Sequence, residues 1–364
     1  QLYARPITLV TTLADGSQHR RSGYVTEAQS LDSDGGLARK SLLVRPWIAL
    51  LDHTLCSRVW QDKSVMDIVE DVFAGHDSIA AWRWDEDVAQ HVANGLHGPT
   101  GGVRKYCVQY RESDGRFISR LLAEEGLNWR VEEDEAAPGG HTIVIFANSL
   151  NQAQDPTSGT LLGGKGIRFH RSSSQEEQDS IQALGAWRQL GQAGGSMGTT
   201  VLGWDYEANR AIVADVPTNH QWGGPQASAL QSWLTSYDPV ADGLYSHPDQ
   251  AQFAATTMQQ AREARLKLWM GEGTVRTLRA GTWFSLSQST LDSINAHDEQ
   301  KEFFVTAVRA MGINNLPKDL SDTIAKTLGI GPLQALLEAT QDSGVFERQD
   351  VDTDSLQAKA AQSG

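Results

Sequence analysis

The chain has 364 residues, 40% hydrophobic and 21% charged, a globular balance long enough for two or three domains. A formal net charge of −14 argues against a general electrostatic grip on nucleic acid or anionic membrane, though it leaves room for local basic patches. No run approaches the ~18 apolar residues of a membrane span, and no charged-then-apolar signal segment opens the chain.

Only two cysteines are present, Cys56 and Cys107, too few for a disulfide scaffold and without a C-x-x-C pair. A reduced, cytoplasmic-type setting is the expectation, with one buried disulfide left open. The first residue is Gln1, already in strand-like sequence, as expected of a stretch cut from a longer protein.

Residues 6–44 alternate strand patterns with turns at Asp15-Gly16 and Asp34-Gly35-Gly36, the pattern of a β meander that belongs to a barrel. From Arg45-Pro46-Trp47 the character changes. SVMDIVEDVFAG predicts a helix with Val65, Ile68, Val69, Val72 and Phe73 as its stripe, Ser64 and Asp67 as a capping pair, and Gly75 as its stop. Trp82 and Trp84 bracket Arg83 in an extended piece, and 95–102 is a loop punctuated by glycine and proline.

The segment Tyr106–Trp129 contains a strand, a helix and a second strand. Tyr106, Val108 and Tyr110 alternate as a half-buried strand should, Ser113 caps, and Phe117, Ile118, Leu121 and Leu122 form the helix's apolar face. Gly126 ends the helix. Ser113, Asp114, Glu124 and Glu125 read as capping and surface residues. Because the macrodipole disfavours the two glutamates in the last turn, packing rather than charge is expected to hold that end.

Two strands then flank an acidic, flexible tip. A second β unit begins near Gly166, interrupted by an irregular aromatic stretch and by a helix from about Asp249 to Met270, with Phe253, Thr257, Ala261, Ala264 and Leu268 on one face and Gly271 as its stop. Beyond Asn314 the chain reads as short helices, and 341–364, rich in Asp, Gln, Ser and Ala, as disordered or loosely held.

Chemical motifs are weak. Gly194, Ser196 and Gly198 match G-x-S-x-G, but the expected strand before and helix after the serine are missing, so a hairpin loop is the better reading. Gly159–Gly166 falls one residue short of a phosphate loop, with glycine where Ser or Thr would hold Mg²⁺ and no helix start behind it. His91 and His97 lack a third ligand in sequence. Glu132, Glu133, Asp134 and Glu135 read as a solvated hairpin tip, and the eleven tryptophans as fillers of cores and interfaces. No catalytic, cofactor-binding or metal-binding residue is assigned, and no cofactor is expected.

YCVQYRESDGRFISRLLAEEGLNW followed by HTIVIFANS resembles the signature of the VgrG spike proteins of type VI secretion systems. The similarity extends from SGYVTEAQ, LLVRPWIALL and VWQDKSVMDIVEDVF through YDPVADGLYSHPDQAQF and GEGTVRTLRAGTWFSL to NNLPKDL, about residue 320. Departures include AEEG for EEEG and Ala310 where a basic residue or histidine is usual.

The resemblance implies a β-rich α+β fold with two hub-type antiparallel β-barrel units, an inserted α+β domain and helical insertions, truncated at both ends. On that plan residues 1–52 belong to the first barrel, 53–150 to the inserted α+β domain and 151–167 to a linker. The second barrel is 168–312, interrupted at 216–270, and 313–364 form a helical, partly disordered arm.

It further implies a non-enzymatic homotrimer in the intact protein that caps the Hcp tube hexamer and helps deliver effectors. Effector or adaptor proteins and a spike-tip protein would be further partners, with no nucleic acid and no membrane span. Assembly in the bacterial cytoplasm and export by the type VI apparatus without a signal peptide follow from the same resemblance. A contractile phage tail baseplate hub is the alternative, and a cell-wall hydrolase a third class.

Overall fold

The computed structural model describes residues 2–13, 15–33, 38–160, 166–170, 179–188, 198–219, 229, 233–239, 245–287 and 301–310. The Asp34-Gly35-Gly36 turn, the Gly194 and Ser196 motif positions and the arm beyond residue 310 lie outside them.

Two units divide the chain: a smaller one of Gln1–Arg5, Tyr24–Val44 and Arg309–Gly364, and a larger one of Pro6–Gly23 and Arg45–Val308. In the smaller unit, the second part of strand β2 (Gln18–Ser33) lies beside β3 (Ala38–Arg45). The N-terminal segment is tied to it by reciprocal backbone bonds, Ala4 N–H to Val25 O at 2.9 Å and Val25 N–H to Arg5 O at 3.0 Å. Tyr24 and Val25 are buried.

The larger unit opens with β1 (Pro6–Thr12), which turns back into the start of β2 through the expected Asp-Gly corner. Gly16 takes a left-handed φ of 82°, the Leu13 N–H reaches Ser17 O at 2.9 Å, and the Asp15 carboxylate accepts from the Ser17 N–H and hydroxyl.

Next comes an α+β region. An antiparallel ribbon pairs β4 (Leu55–Ser64) with β6 (Val103–Ser113), and a three-stranded sheet runs β5 (Trp82–Trp84), β8 (His141–Phe146), β7 (Asn128–Glu133). β8 is central and buried on both faces, as its unbroken apolar run TIVIF requires. Helix α1 (Val65–Ala74) starts on a complete Ser64/Asp67 capping box, and α2 (Val88–Asn94) buries Val88 and Val92 and ends at Gly95. Helix α3 (Asp114–Glu124) is capped by the Ser113 hydroxyl and closed by Gly126 at φ 71°, with the Leu127 N–H on Leu122 O at 2.7 Å.

The core of this region joins the stripes of α1 and α3 to Trp47 and Leu51. Phe73 lies edge-on to Trp47 at 4.9 Å and to Trp82 at 5.3 Å, while Trp60 stacks on Phe117 at 5.0 Å. His141, fully buried, accepts from the Trp47 N–H at Nε2, so its Nδ1 carries the proton donated to Gly139 O.

One expectation is inverted. In β6 the tyrosines face outward, Tyr106 59% and Tyr110 71% exposed, while Cys107 and Gln109 face the core. Gln109 is accommodated because its amide donates to Asp114 Oδ1 at 2.7 Å and to Glu112 O at 3.1 Å, so a polar side chain buries with its donors satisfied.

A short helix α4 (Pro156–Thr160) and strand β9 (Ile167–Phe169) follow. The second large sheet has the order β14 (Lys267–Gly273), β10 (Ser180–Arg188), β9, β15 (Trp283–Ser287), β16 (Glu302–Phe304). It is mixed rather than purely antiparallel, since β9 runs parallel to both β10 and β15. Its core unites Ile167, Ile181, Phe284, Leu286, Phe303 and Val305.

A third sheet places β11 (Gly198–Asp205) between β12 (Arg210–Pro217) and β13 (Thr235–Pro239). Helix α5 (Pro248–Leu266) covers one face of it. The helix stops four residues before Met270, because Lys267–Gly273 pairs antiparallel with β10 and Gly271 sits inside a strand. Its buried face keeps only part of the expected one: Ala251, Ala254 and Ala255 pack on Val201, Ile212, Ala214 and Tyr245 with Phe253 beside them, while Ala261 and Ala264 are exposed. Small residues let the helix lie close to the sheet.

Candidate interaction surface

Four polar clusters, three around buried groups and one part-buried, draw on residues far apart in sequence. In the first, Arg104 of β6 donates to Glu124 at 2.7 Å and Glu125 at 2.6 Å. Burial pushes the Glu125 carboxyl up against the pull of Arg104, and Arg104 is held above its ordinary value, burial opposing, by the two glutamates. Charge therefore does hold the end of α3, and Glu125, 1% exposed, is not a surface residue. His97, nearby, is lowered to about 4 by burial and then by Arg104. His91 bonds Glu125 O at 2.7 Å and lies edge-on to Phe253 of α5.

In the second, fully buried Asp114 meets Arg58 and His76, each at 3.2 Å, as well as Gln109. Burial raises its carboxyl, but the bonds from Gln109 and His76 and the charge of Arg58 together hold it below the usual range. Arg58 also reaches Cys56 Sγ at 3.2 Å. Both cysteines are free: Cys107 pairs across the ribbon with Trp60, and Cys56 with Glu112.

The third cluster overturns the solvated-tip reading at Glu133. Its carboxylate takes the Ser22 N–H at 3.1 Å, the Ser22 hydroxyl at 2.6 Å and Arg279 at 3.0 Å. Arg279 also donates to Arg20 O, and Arg21 donates to Arg276 O at 3.0 Å. His19 beside them is lowered to about 4 by burial, then by the charges of Arg279 and Arg21. Glu132 pairs with Arg83 and Arg130, both at 2.8 Å, the first of these at the surface; Asp134 accepts from Thr142; Glu135 makes a surface pair with Arg20.

In the fourth, Asp155 is fully buried at the start of α4, accepting from Thr277 Oγ1 at 3.0 Å and the Ser158 N–H at 3.1 Å. Burial raises its carboxyl.

These groups are committed to one another, an arrangement suited to joining elements. Among the described residues no three or more of His, Cys, Asp and Glu are grouped to hold a metal ion. Gly159 lies within α4, and Gly166, at φ 101°, leads straight into strand β9, the wrong context for a phosphate loop. No described helix is long and apolar enough to cross a membrane.

What the molecule offers to partners is exposed apolar sheet surface. On the third sheet the face away from α5 carries Trp204, Val213 and Tyr237, exposed by 40%, 56% and 60%. On the ribbon, Leu55, Val59, Tyr106 and Tyr110 are exposed together. At the end of that ribbon, Arg111 is the extra residue of a β-bulge between Cys56 and Ser57, with φ 51°. For a non-glycine residue this conformation costs about 1–2 kcal/mol. Beside it an open groove of about 600 Å³ is lined by Asp52, Leu55, Arg111, Glu112, Ser113, Arg116 and Ser119. Sequence alone could not have marked this groove, because its members come from four elements: the 3-10 turn Trp47–His53, β4, β6 and α3.

The described residues form a β-rich scaffold whose polar clusters bond within themselves and whose sheet faces are bare. The chain belongs to the phage tail baseplate hub (GPD) family, which matches residues 1–316. Within that family it is similar to type VI secretion system spike proteins of Pseudomonas aeruginosa. It is 23% identical to VgrG1b over 86% of this chain and 38% of that protein. It is 30% identical to VgrG1a over 87% of this chain and 43% of that protein. The chain thus spans less than half the length of these relatives. Among solved structures, the E. coli c3393 protein, described as a component of the type VI secretion system, aligns with a TM-score of 0.45 and 13% identity, over 79% of this chain and 62% of that one.

Proposed function

We propose that this chain is the hub region of a type VI secretion spike, a structural and non-enzymatic part that caps the Hcp tube and helps deliver effectors into target cells. The observation that carries this reading is the family match across residues 1–316, joined to the VgrG relatives that align over more than four-fifths of the chain. The exposed sheet faces and the polar clusters that only join elements support it. In the intact protein three subunits, each supplying two barrel-like units, would present six similar docking surfaces to a hexameric ring. The first barrel falls in residues 1–52 and the second in 168–312, with 53–150 inserted between them. Adaptors, effectors and a spike-tip protein would be further partners. Assembly would take place in the bacterial cytoplasm, with export through the apparatus itself.

The test is to mix the full-length protein with Hcp from the same organism. Native mass measurement is expected to give a trimer, and electron microscopy to show density capping Hcp tubes. A stable monomer that leaves tube ends bare would overturn the reading, and copurification with phage tails instead of Hcp would favour the phage baseplate alternative. Peptidoglycan hydrolysis by the chain would overturn the non-enzymatic assignment.

A further inference from the structure

We propose that the groove at the end of the β4–β6 ribbon docks an acidic protein segment that carries a large apolar side chain. The inference stands on charge and exposure at one place and does not depend on the hub reading. The chain as a whole is strongly acidic, with a net charge of −14, yet this groove presents two exposed arginines, Arg111 and Arg116, neither with a side-chain partner among the described residues, while of its two carboxylates Glu112 is paired with Arg120 and Asp52 accepts from the Ser113 hydroxyl at 3.4 Å. The contrast with neighbouring cations is direct: Arg58 is paired with Asp114, Arg104 with Glu124 and Glu125, and Arg120 with Glu112 and Glu124.

Arg111 is held at the groove by construction. The bulge inserts it as an extra residue, its N–H goes to Ser57 Oγ at 3.2 Å, and the chain keeps a non-glycine residue at φ 51° to do so. Bulges of this kind re-aim a side chain at the edge of a sheet. Arg116 comes from the first turn of α3, where its N–H is already occupied by the Ser113 cap.

In the same groove Leu55 is 73% exposed, and Tyr110, next to Arg111 along β6, is 71% exposed. Two exposed guanidinium groups beside bare apolar surface fit carboxylates that flank a leucine or aromatic side chain. Nucleic acid fits less well, because two arginines make a small footprint for a polyanion.

The test uses the full chain and a fluorescent synthetic peptide of four glutamates and two leucines spaced by serine. Its controls are the same peptide with glutamine for glutamate and an oligothymidylate of equal charge. The glutamate peptide is expected to bind about tenfold more tightly than the glutamine peptide, and to weaken as salt is raised. The variant carrying Arg111→Gly and Arg116→Gln, which keeps the bulge conformation accessible, is expected to lose about tenfold in affinity. Leu55→Ser, which keeps both charges, is expected to weaken binding severalfold.

Equal binding of the two peptides, no binding of the glutamate peptide, no effect of the double variant or of Leu55→Ser, or tighter binding of the oligothymidylate would each overturn the proposal. A change in the native mass of the double variant without a change in peptide affinity would assign the groove to a second copy of the chain and overturn it as well.

Discussion

The guanidinium of Arg104 lies 2.6 Å from the carboxylate of Glu125, and the two side chains are 8% and 1% exposed. Removing one member of a buried pair leaves the other charged without a partner, which costs about 3–5 kcal/mol. Arg104→Met is therefore expected to destabilise the chain by that amount in urea unfolding. Adding Glu125→Gln to it should recover part of the loss, because the stranded charge goes with it. Arg120→Met, whose partners Glu112 and Glu124 reach water, is expected to cost no more than about 1 kcal/mol.

The inverted face of β6 gives a second measurable contrast. Tyr106→Ser and Tyr110→Ser remove large side chains from the exposed face and are expected to change stability by less than about 0.5 kcal/mol. Gln109→Leu has nearly the same volume, yet it takes the 2.7 Å donor from buried Asp114, at a cost of about 1–3 kcal/mol. If the tyrosine variants were the costly ones, the assignment of faces would be wrong.

That contrast marks where the sequence was legible. Helices with local signals were readable: the Ser64/Asp67 box, the Ser113 cap and the Gly126 stop are all in place, because caps are decided within a few residues. Features decided by distant partners were not. Tyr106-Val108-Tyr110 has the alternation of a core face, but Trp60 and Phe117 fill the other side, and Asp114 makes Gln109 acceptable there. The end of α5 was overextended because KLWM is as apolar as a helix stripe, and only pairing with β10 makes it strand. Glu133 looked like part of a solvated tip, and only Ser22 and Arg279, more than a hundred residues away on either side, make it a joint. The groove at Arg111 depends on a bulge register that no local pattern announces.

Two glycines with positive φ separate the cost of conformation from the cost of space. At Gly16, φ 82°, an added Cβ would meet nothing within 4 Å, so Gly16→Ala is expected to cost only about 1–2 kcal/mol. At Gly166, φ 101°, the Cβ would run into the backbone carbonyl of Ser285, which cannot yield without moving β15. Overpacking of about 1–3 kcal/mol then adds to the conformational term. Thermal melts of the two alanine variants should rank them in that order.

Acid sensitivity is expected from His19 and His97, both lowered from their ordinary value near 6.5 to about 4. In each case burial is the largest cause and neighbouring arginines add to it. Because the folded chain resists protonation, the unfolded chain binds more protons between about pH 6.5 and pH 4. The stability they contribute is complete above about pH 6.5 and falls as the pH is lowered through that window. Replacing both with glutamine should flatten the fall in unfolding midpoint between pH 7 and pH 4; an unchanged slope would contradict the assignment.

Asp155 works in the opposite direction. It is fully buried, its Oδ1 accepts from Thr277 and Ser158, and burial raises its carboxyl above the ordinary value near 3.9. A raised carboxyl means that the folded chain holds the proton over a range where the unfolded chain has released it, so stability from this residue declines as pH rises above about 4. Asp155→Asn cannot titrate. It keeps the acceptor for Thr277 and Ser158 but places an amide where the second carboxylate oxygen is buried without a partner. Whatever that amide costs is the same at every pH. The stability of the native chain relative to the variant should therefore be greatest near pH 3 and shrink as pH rises, which paired unfolding curves from pH 3 to pH 7 would show. A difference that grew with pH would mean that Asp155 is held in place as a favourably solvated carboxylate, and that α4 is tied to Thr277 by charge rather than by a shared proton.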